Sequence, residues 1–228
     1  NSLGLSTVRT GVVLAAMALG SFLSGASARH LAARMGATGV VVLGLSLEVI
    51  GVGLLAWVVG AQGSTWLTVL TLVVYGIGLG LASAQLTSTV LHDIPADQSG
   101  AGSATQSTVR QLGSALGAAI AGSALGSAMN HTIPDAVTSA SRVPARALDT
   151  LVRATQSSAG SVIPGLRNAP PTSPFIRPLG ESRDAVIGGL ETGFAHAAAW
   201  SIGLSSLFLI IGLLGAIMVR HQARKQVS

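Results

Sequence analysis

Apolar positions gather into five blocks along the chain, at about 9–28, 38–59, 66–91, 101–129 and 194–219, and each is long enough to cross a bilayer, which takes about 20 mainly apolar residues. Polar residues collect between the blocks. Three connections are short, RHLAARMG (29–36), GAQGST (60–65) and HDIPADQS (92–99), whereas a long one separates the fourth block from the fifth. The pattern predicts an all-α membrane protein with five transmembrane helices, whose odd number puts the two termini on opposite sides. It divides the chain into a four-helix region (1–129), a Pro/Ser-rich loop with short helical pieces (130–188), and a last helix with a basic tail (189–228).

The long connection has a pattern of its own. It holds Pro134, Pro144, Pro164, Pro170, Pro171, Pro174 and Pro178, and its NAPPTSP run resists regular structure. Before that run, PARALDTLVRAT (144–155) opens on proline and repeats apolar positions at helical spacing, which predicts a short amphipathic helix. A second helical stretch, ESRDAVIGGLETGFAHAAAW, runs from about 181 straight into the last span. Lys and Arg in the short flanks orient the whole. Arg29, Arg34, Arg220, Arg224 and Lys225 share one side, which is assigned to the cytoplasm with the C-terminus, against Arg9 on the other. The long loop, with Arg142, Arg146, Arg153, Arg167, Arg177 and Arg183, is then outside the cytoplasm.

Composition agrees with a bilayer environment. Hydrophobic residues make up 49% of the 228 and charged residues 9%, with mean hydropathy +0.64, far from the quarter-charged norm of soluble domains. The high isoelectric point comes from scattered arginines without a dense basic run, so nucleic acid is not expected as a partner. Without cysteine, and with His30, His92, His131, His196 and His221 far apart, neither a disulfide framework nor a metal site is expected. No cofactor is expected either. The Arg, Ala and Gly usage suggests a bacterial inner membrane. Beginning at Asn1 without a signal-peptide pattern, the chain is expected to be a piece of a longer protein or a truncated gene product.

Against this background the few polar residues inside the spans stand out. At 100° per residue Gln106, Arg110, Gly113, Gly117, Ala121, Ala124 and Ala128 fall on one stripe of the fourth span, so Arg110 shares its face with small residues that let helices approach closely in lipid. Its guanidinium either faces a bundle interior or water-filled path, or snorkels to the headgroups. Glu48 lies in the middle of the second span, where insertion of a charge costs about 2.5 to 3.5 kcal/mol. Sharing a face with Gly44 and Gly51, it faces a neighbouring helix, as a group that takes up and releases protons or as a packed, hydrogen-bonded acid.

In the third span YGIGLGLASAQ (75–85) sets Gly76, Gly80, Ser83 and Thr87 in a stripe. A nucleotide-binding reading needs a strand before and a helix after, so these glycines are read as helix packing. Gln85, opposite with Gly78, is a polar candidate for lining a cavity. His92 and Asp93 have no nucleophile at a useful spacing and are read as interfacial anchors. His196 and Glu191 either titrate together or mark the exposed start of the last helix. NHT (130–132) fits a glycosylation acceptor, which means little in a bacterial protein. No nucleophile, metal or paired-carboxylate constellation supports an enzyme.

The order of GASARHLAARMGATGVVVLGLSLEVIGVGLLA, YGIGLGLASAQLTSTVLHDIPADQSGAGSATQSTVRQLGSALGAAIAGSAL, a long loop, and GFAHAAAWSIGLSSLFLIIGLLGAIMVR resembles the C-terminal half of major facilitator superfamily drug:proton antiporters with fourteen helices. The most specific part is 95–126, where P-x-x-x-x-G precedes T-x-R-Q-L-G-x-A-L-G. The resemblance makes the five spans the tenth to fourteenth helices and the long loop external. GASARHLAARMG departs from the G-x-x-x-D-x-x-G-R pattern, keeping Gly25, Arg34 and Gly36 but placing Arg29 in the acidic region.

What the resemblance implies is proton-driven export of amphipathic small molecules across the lipid bilayer by alternating access, together with missing N-terminal helices of the same transporter. Site candidates are Glu48, Arg110, Gln106 and Gln85, with Gly76, Gly80, Gly113 and Gly117 as packing positions. Glu48 matches no family motif, so its role rests on its position alone. The alternative is a truncated or split-gene membrane protein that acts as a partner subunit or without transport.

Overall fold

A computed structural model describes residues 7–61, 64–91, 94–138 and 143–225. Among these are seven α-helices, α1 (Thr7–Met35), α2 (Ala37–Gly60), α3 (Thr65–Leu91), α4 (Ser99–Val137), α5 (Ala145–Ser157), α6 (Ile163–Asn168) and α7 (Arg183–Lys225), with 3-10 turns at Ala96–Gln98 and Arg177–Ser182 and no strand. Five of them, α1, α2, α3, α4 and α7, are long and apolar enough to cross a membrane. The protein is therefore all-α and multi-pass. Arg29 and Arg34 sit in the last turns of α1 rather than in a loop, because Arg, Leu and Ala all favour helix. The reversal into α2 is left to Gly36 at φ 79°, a left-handed conformation that glycine adopts without steric cost. His92 and Asp93 lie outside the described residues.

Contacts run in a row. α3 packs against both α1 and α2, α2 also packs against α7, and α7 against α4, while α4 barely touches α3. Glycines on α3 explain its central place. A methyl group on Gly76 or Gly80 would overlap the carbonyl oxygens of Met17 and Ser21 on α1. On the opposite face, a Cβ at Gly78 would stand 2.6 Å from the Gly44 carbonyl oxygen and 2.7 Å from the Glu48 nitrogen of α2. The backbones touch on both sides of α3, which in lipid, where apolar surface gains nothing by meeting apolar surface, is how helices gain contact energy.

α4 and α7 are built differently. With 39 and 43 residues, at 1.5 Å per residue they run to ~58 and ~64 Å, about twice a ~30 Å hydrocarbon core. Their surplus at one end carries a folded cap. The α5 stripe of Leu148, Leu151, Val152 and Thr155 packs with α6 and the 176–179 turn onto Met129, Ile133 and Val137 of α4 and Val186, Ile187 and Leu190 of α7. α5 starts on Pro144, whose carbonyl accepts the first turn's N–H of Ala147 at 2.9 Å. After α5 the chain reverses at Gly160, φ 79°, tucked under the Phe194 ring. Arg183 donates to the carbonyls of Arg167 at 2.9 Å and Ala169 at 2.8 Å, satisfying acceptors that the end of α6 leaves open.

Polar side chains tie the long pair together. Thr132 Oγ1 donates to the Gly193 carbonyl at 2.7 Å, Ser201 Oγ to the Ala121 carbonyl at 2.7 Å, and Gln156 of α5 to the Met129 carbonyl at 3.3 Å. The chain's three tryptophans mark a level beside the cap. Trp57 and Trp66 flank the α2–α3 connection, and Trp200 follows Ala199, which meets Gly60 at the end of α2. They are 66%, 80% and 74% exposed, the placement expected of indoles at a membrane–water interface.

Candidate functional site

The α2–α3 contact holds two buried polar side chains. Glu48 on α2 is 5% exposed and Gln85 on α3 is 4% exposed, and among the described residues neither side chain has an ion pair or hydrogen bond. Glu48 is pressed there by glycine chemistry. Its Cγ would lie 3.0 Å from a Cβ on Gly78, so the carboxylate stem occupies space that the missing side chain leaves. Gly51, one turn along α2, lies against Tyr75, where a Cβ would meet the Tyr75 nitrogen at 2.8 Å. The Tyr75 phenol is within electrostatic range of the Glu48 carboxyl.

Tyr75 connects this contact to open space. A cavity of about 470 Å³ lies between α2 and α3 on one side and α4 and α7 on the other. Val52, Ile120, Leu204, Phe208 and Leu209 give it an apolar wall, and the hydroxyls of Tyr75, Ser114 and Ser205 give it a few polar points. Ser205 donates to its own helix at Ser201. A mostly apolar wall with few polar groups suits an amphipathic molecule. Val52 stands one turn from Glu48 on α2 and lines the cavity, while Glu48 itself does not.

The α4 stripe takes part in another way. Residues 108–120 are exposed on every side, and a Cβ on Gly113 or Gly117 would meet no atom within 4 Å. Gly117, with Ala121 on the same stripe and Ser114 at its edge, lines the cavity. Arg110, one turn before Ser114, is exposed and has no ion pair among the described residues. Gln106 bridges to α3, its Nε2 donating to Thr87 Oγ1 at 3.2 Å. Glu48 and Gln85 thus share one helix contact, Gln106 and Arg110 belong to another helix, and Gly76 and Gly80 face away toward α1. Near the cap, Glu191 accepts from Arg167 at 2.7 Å, while His196 is exposed.

Tyr75 and Ser114 are the residues that reading the sequence for candidates passes over. Ser114 carries a signal, since it falls four residues after Arg110 at the edge of that stripe. Tyr75, the single tyrosine, carries none until α3 is seen beside α2.

A protein-family model described as Major Facilitator Superfamily matches residues 1–118, just over half of the chain. The chain belongs to the Major Facilitator Superfamily. No curated protein and no solved structure matches it. As a major facilitator protein it is a multi-pass member of a family of membrane transporters. The matched region takes in α1, α2, α3 and the first half of α4, with Glu48, Tyr75, Gln85, Gln106 and Arg110 inside it. The cap and α7 lie beyond the match.

Proposed function

We infer that this major facilitator protein takes part in proton-coupled export of drugs or other amphipathic small molecules, with α1, α2, α3, α4 and α7 in the positions of the tenth to fourteenth helices of a drug:proton antiporter. One observation carries the reading: Glu48, buried in a membrane span and without a hydrogen bond or ion pair among the described residues, lies one turn from Val52, which lines a largely apolar cavity. A carboxyl group so placed is costly, and such groups inside spans are kept mainly where they serve a task. The cavity receives the substrate, and Glu48 exchanges protons as access alternates. Tyr75 stands between the two.

Alternating access rocks one helical repeat or bundle against another, so the five spans act with further helices. Arg29 and Arg34 at the end of α1 and Arg220 near the end of α7 then face the cytoplasm of a bacterial cell, and the cap faces outward.

The test is efflux of a fluorescent amphipathic dye from cells carrying the complete transporter. Wild type loses efflux when a protonophore is added. Glu48→Gln, which keeps shape and hydrogen bonding but not titration, abolishes gradient-driven efflux while dye still equilibrates. Gradient-driven efflux that persists in the Glu48→Gln protein overturns the reading.

A further inference from the structure

A second cavity, of about 550 Å³, opens between α4 and α7 near the cap, lined by Ala124 and Ala128 on one helix and Ala199, Trp200, Gly203 and Leu204 on the other. Its place along the helices is fixed by two hydrogen bonds, Ser201 to Ala121 and Thr132 to Gly193, which set the antiparallel register. It lies at the tryptophan level. The small residues make a floor, and Trp200 forms an exposed rim.

Helical period places three polar residues above it. At 100° per residue, His196 falls in the middle of the arc drawn by Ala199, Trp200 and Gly203, one turn nearer the cap. On α4, His131 falls beside the arc of Ala124 and Ala128, again one turn nearer the cap, and Asp135 continues that line by another turn. All three are exposed, and among the described residues none of their side chains has an ion pair or hydrogen bond. The cap occupies the far faces of both helices, through Met129, Ile133, Leu190 and Ala197. Ala128 of the groove also packs against the cap core, while Trp200, His131, Asp135 and His196 stay exposed.

From the hydrocarbon outward, the groove therefore presents an apolar trough, an indole, two imidazoles and a carboxylate. That order is the order of parts in a zwitterionic phospholipid: acyl chain, ester, phosphate, ammonium. We propose that the groove is a binding site for one molecule of phosphatidylethanolamine. Its acyl chain lies along Ala124, Ala128 and Gly203, its ester groups reach Trp200, its phosphate oxygens accept N–H groups of His131 and His196, and its ammonium donates to Asp135. Imidazole offers at least one N–H in either charge state. Phosphatidylcholine has no N–H to donate to a carboxylate, and phosphatidylglycerol brings its negative charge toward Asp135 without an ammonium. The site goes beyond the proposed export and does not depend on it.

Native mass spectrometry of the purified full chain, titrated in detergent with phosphatidylethanolamine, phosphatidylcholine or phosphatidylglycerol, tests this. The wild type retains one phosphatidylethanolamine in preference to the other two. A charged hydrogen bond is worth about 1.5–3 kcal/mol, so Asp135→Asn lowers that retention about tenfold and removes the preference over phosphatidylcholine. The double change His131→Ala with His196→Ala weakens all three lipids, and Gly203→Leu, which fills the trough, displaces the acyl chain. Circular dichroism and melting in the same detergent confirm that the exposed polar variants stay folded. Equal retention of the three lipids by the wild type overturns the proposal, as does undiminished phosphatidylethanolamine on folded Asp135→Asn or on the folded double histidine variant.

Discussion

Two halves of this protein hold helices together by different mixtures of the same means. In the α1–α3–α2 layer glycines at 44, 76, 78 and 80 bring backbones into contact, and the apolar core is small, Ala28, Val40 and Leu81 with a few partly buried neighbours. In the α4–α7 half side chains add to such contact: Gly189 and Gly193 of α7 meet the backbone of Ala136, Thr132 and Ile133 on α4, and a large apolar core forms beside them. A cluster from Met129 to Ala197 buries thirteen hydrophobic residues under the cap, while the glycines of α4 at 113, 117, 122 and 126 meet nothing. The difference follows from solvent. Inside lipid there is no hydrophobic gain from bringing apolar helices together, so close approach decides. In water burial is worth about 25 cal/mol per Å², and the thirteen-residue cap core is of the kind that water stabilises.

The effect of replacing a residue is therefore expected to follow what it touches. The largest effect is predicted at Gly78→Leu. Its side chain must push α2 and α3 apart against backbone rather than against flexible side chains, at about 3 kcal/mol or more. Thermal unfolding in detergent is expected to show a protein that melts far lower or is not recovered. A folded Gly78→Leu protein with unchanged melting would mean that the α2–α3 contact is not close.

Leu190→Ala comes next. Leu190 is fully buried in the cap core, and truncating such a leucine costs about 2–5 kcal/mol. Because the cap packs only on the ends of α4 and α7, the loss is expected to be local. Hydrogen exchange should rise in α5, α6 and the adjoining ends of α4 and α7, and remain as it was in α1–α3. Exchange that rises equally in all helices would merge the two halves into one cooperative unit.

The smallest effect, of opposite sign, is expected at Gly113→Ala. With open space around it, the new methyl meets nothing, and alanine is better than glycine in a helix by about 0.5–1 kcal/mol. Melting should rise slightly. A fall would show that this stripe of α4 is covered by another helix, and would sharpen the contrast into one between helices already packed and a helix awaiting a neighbour.

Much of the first half is legible in the sequence because its signals are local. Five apolar blocks of spanning length, a glycine every second or fourth position through YGIGLGLASAQ, and one acid in an apolar run each say what they are without reference to a partner. Glu48 sharing a face with Gly44 and Gly51 tells that it turns toward a helix. It does not tell which one. Gly78, thirty positions away, leaves the space that Glu48 fills, and only the α2–α3 register brings them together. The α4 stripe shows the limit more clearly: Gly113 and Gly117 have the spacing of Gly76 and Gly80, yet the first pair meets no atom and the second pair touches α1.

The cap was the least legible. Its prolines break regular structure, which the sequence displays, and the apolar period of 144–155 shows a helix with one face to bury. What that face meets is spread over α4, α6, α7 and the turn before α7, and no local period records it. By itself, then, the sequence determined the solvent of each segment, because hydropathy and length are additive along the chain. Tertiary structure alone decided which faces meet, where the cavity opens and what stands beside Glu48, because contact depends on the register between helices, and register is a property of pairs rather than of segments.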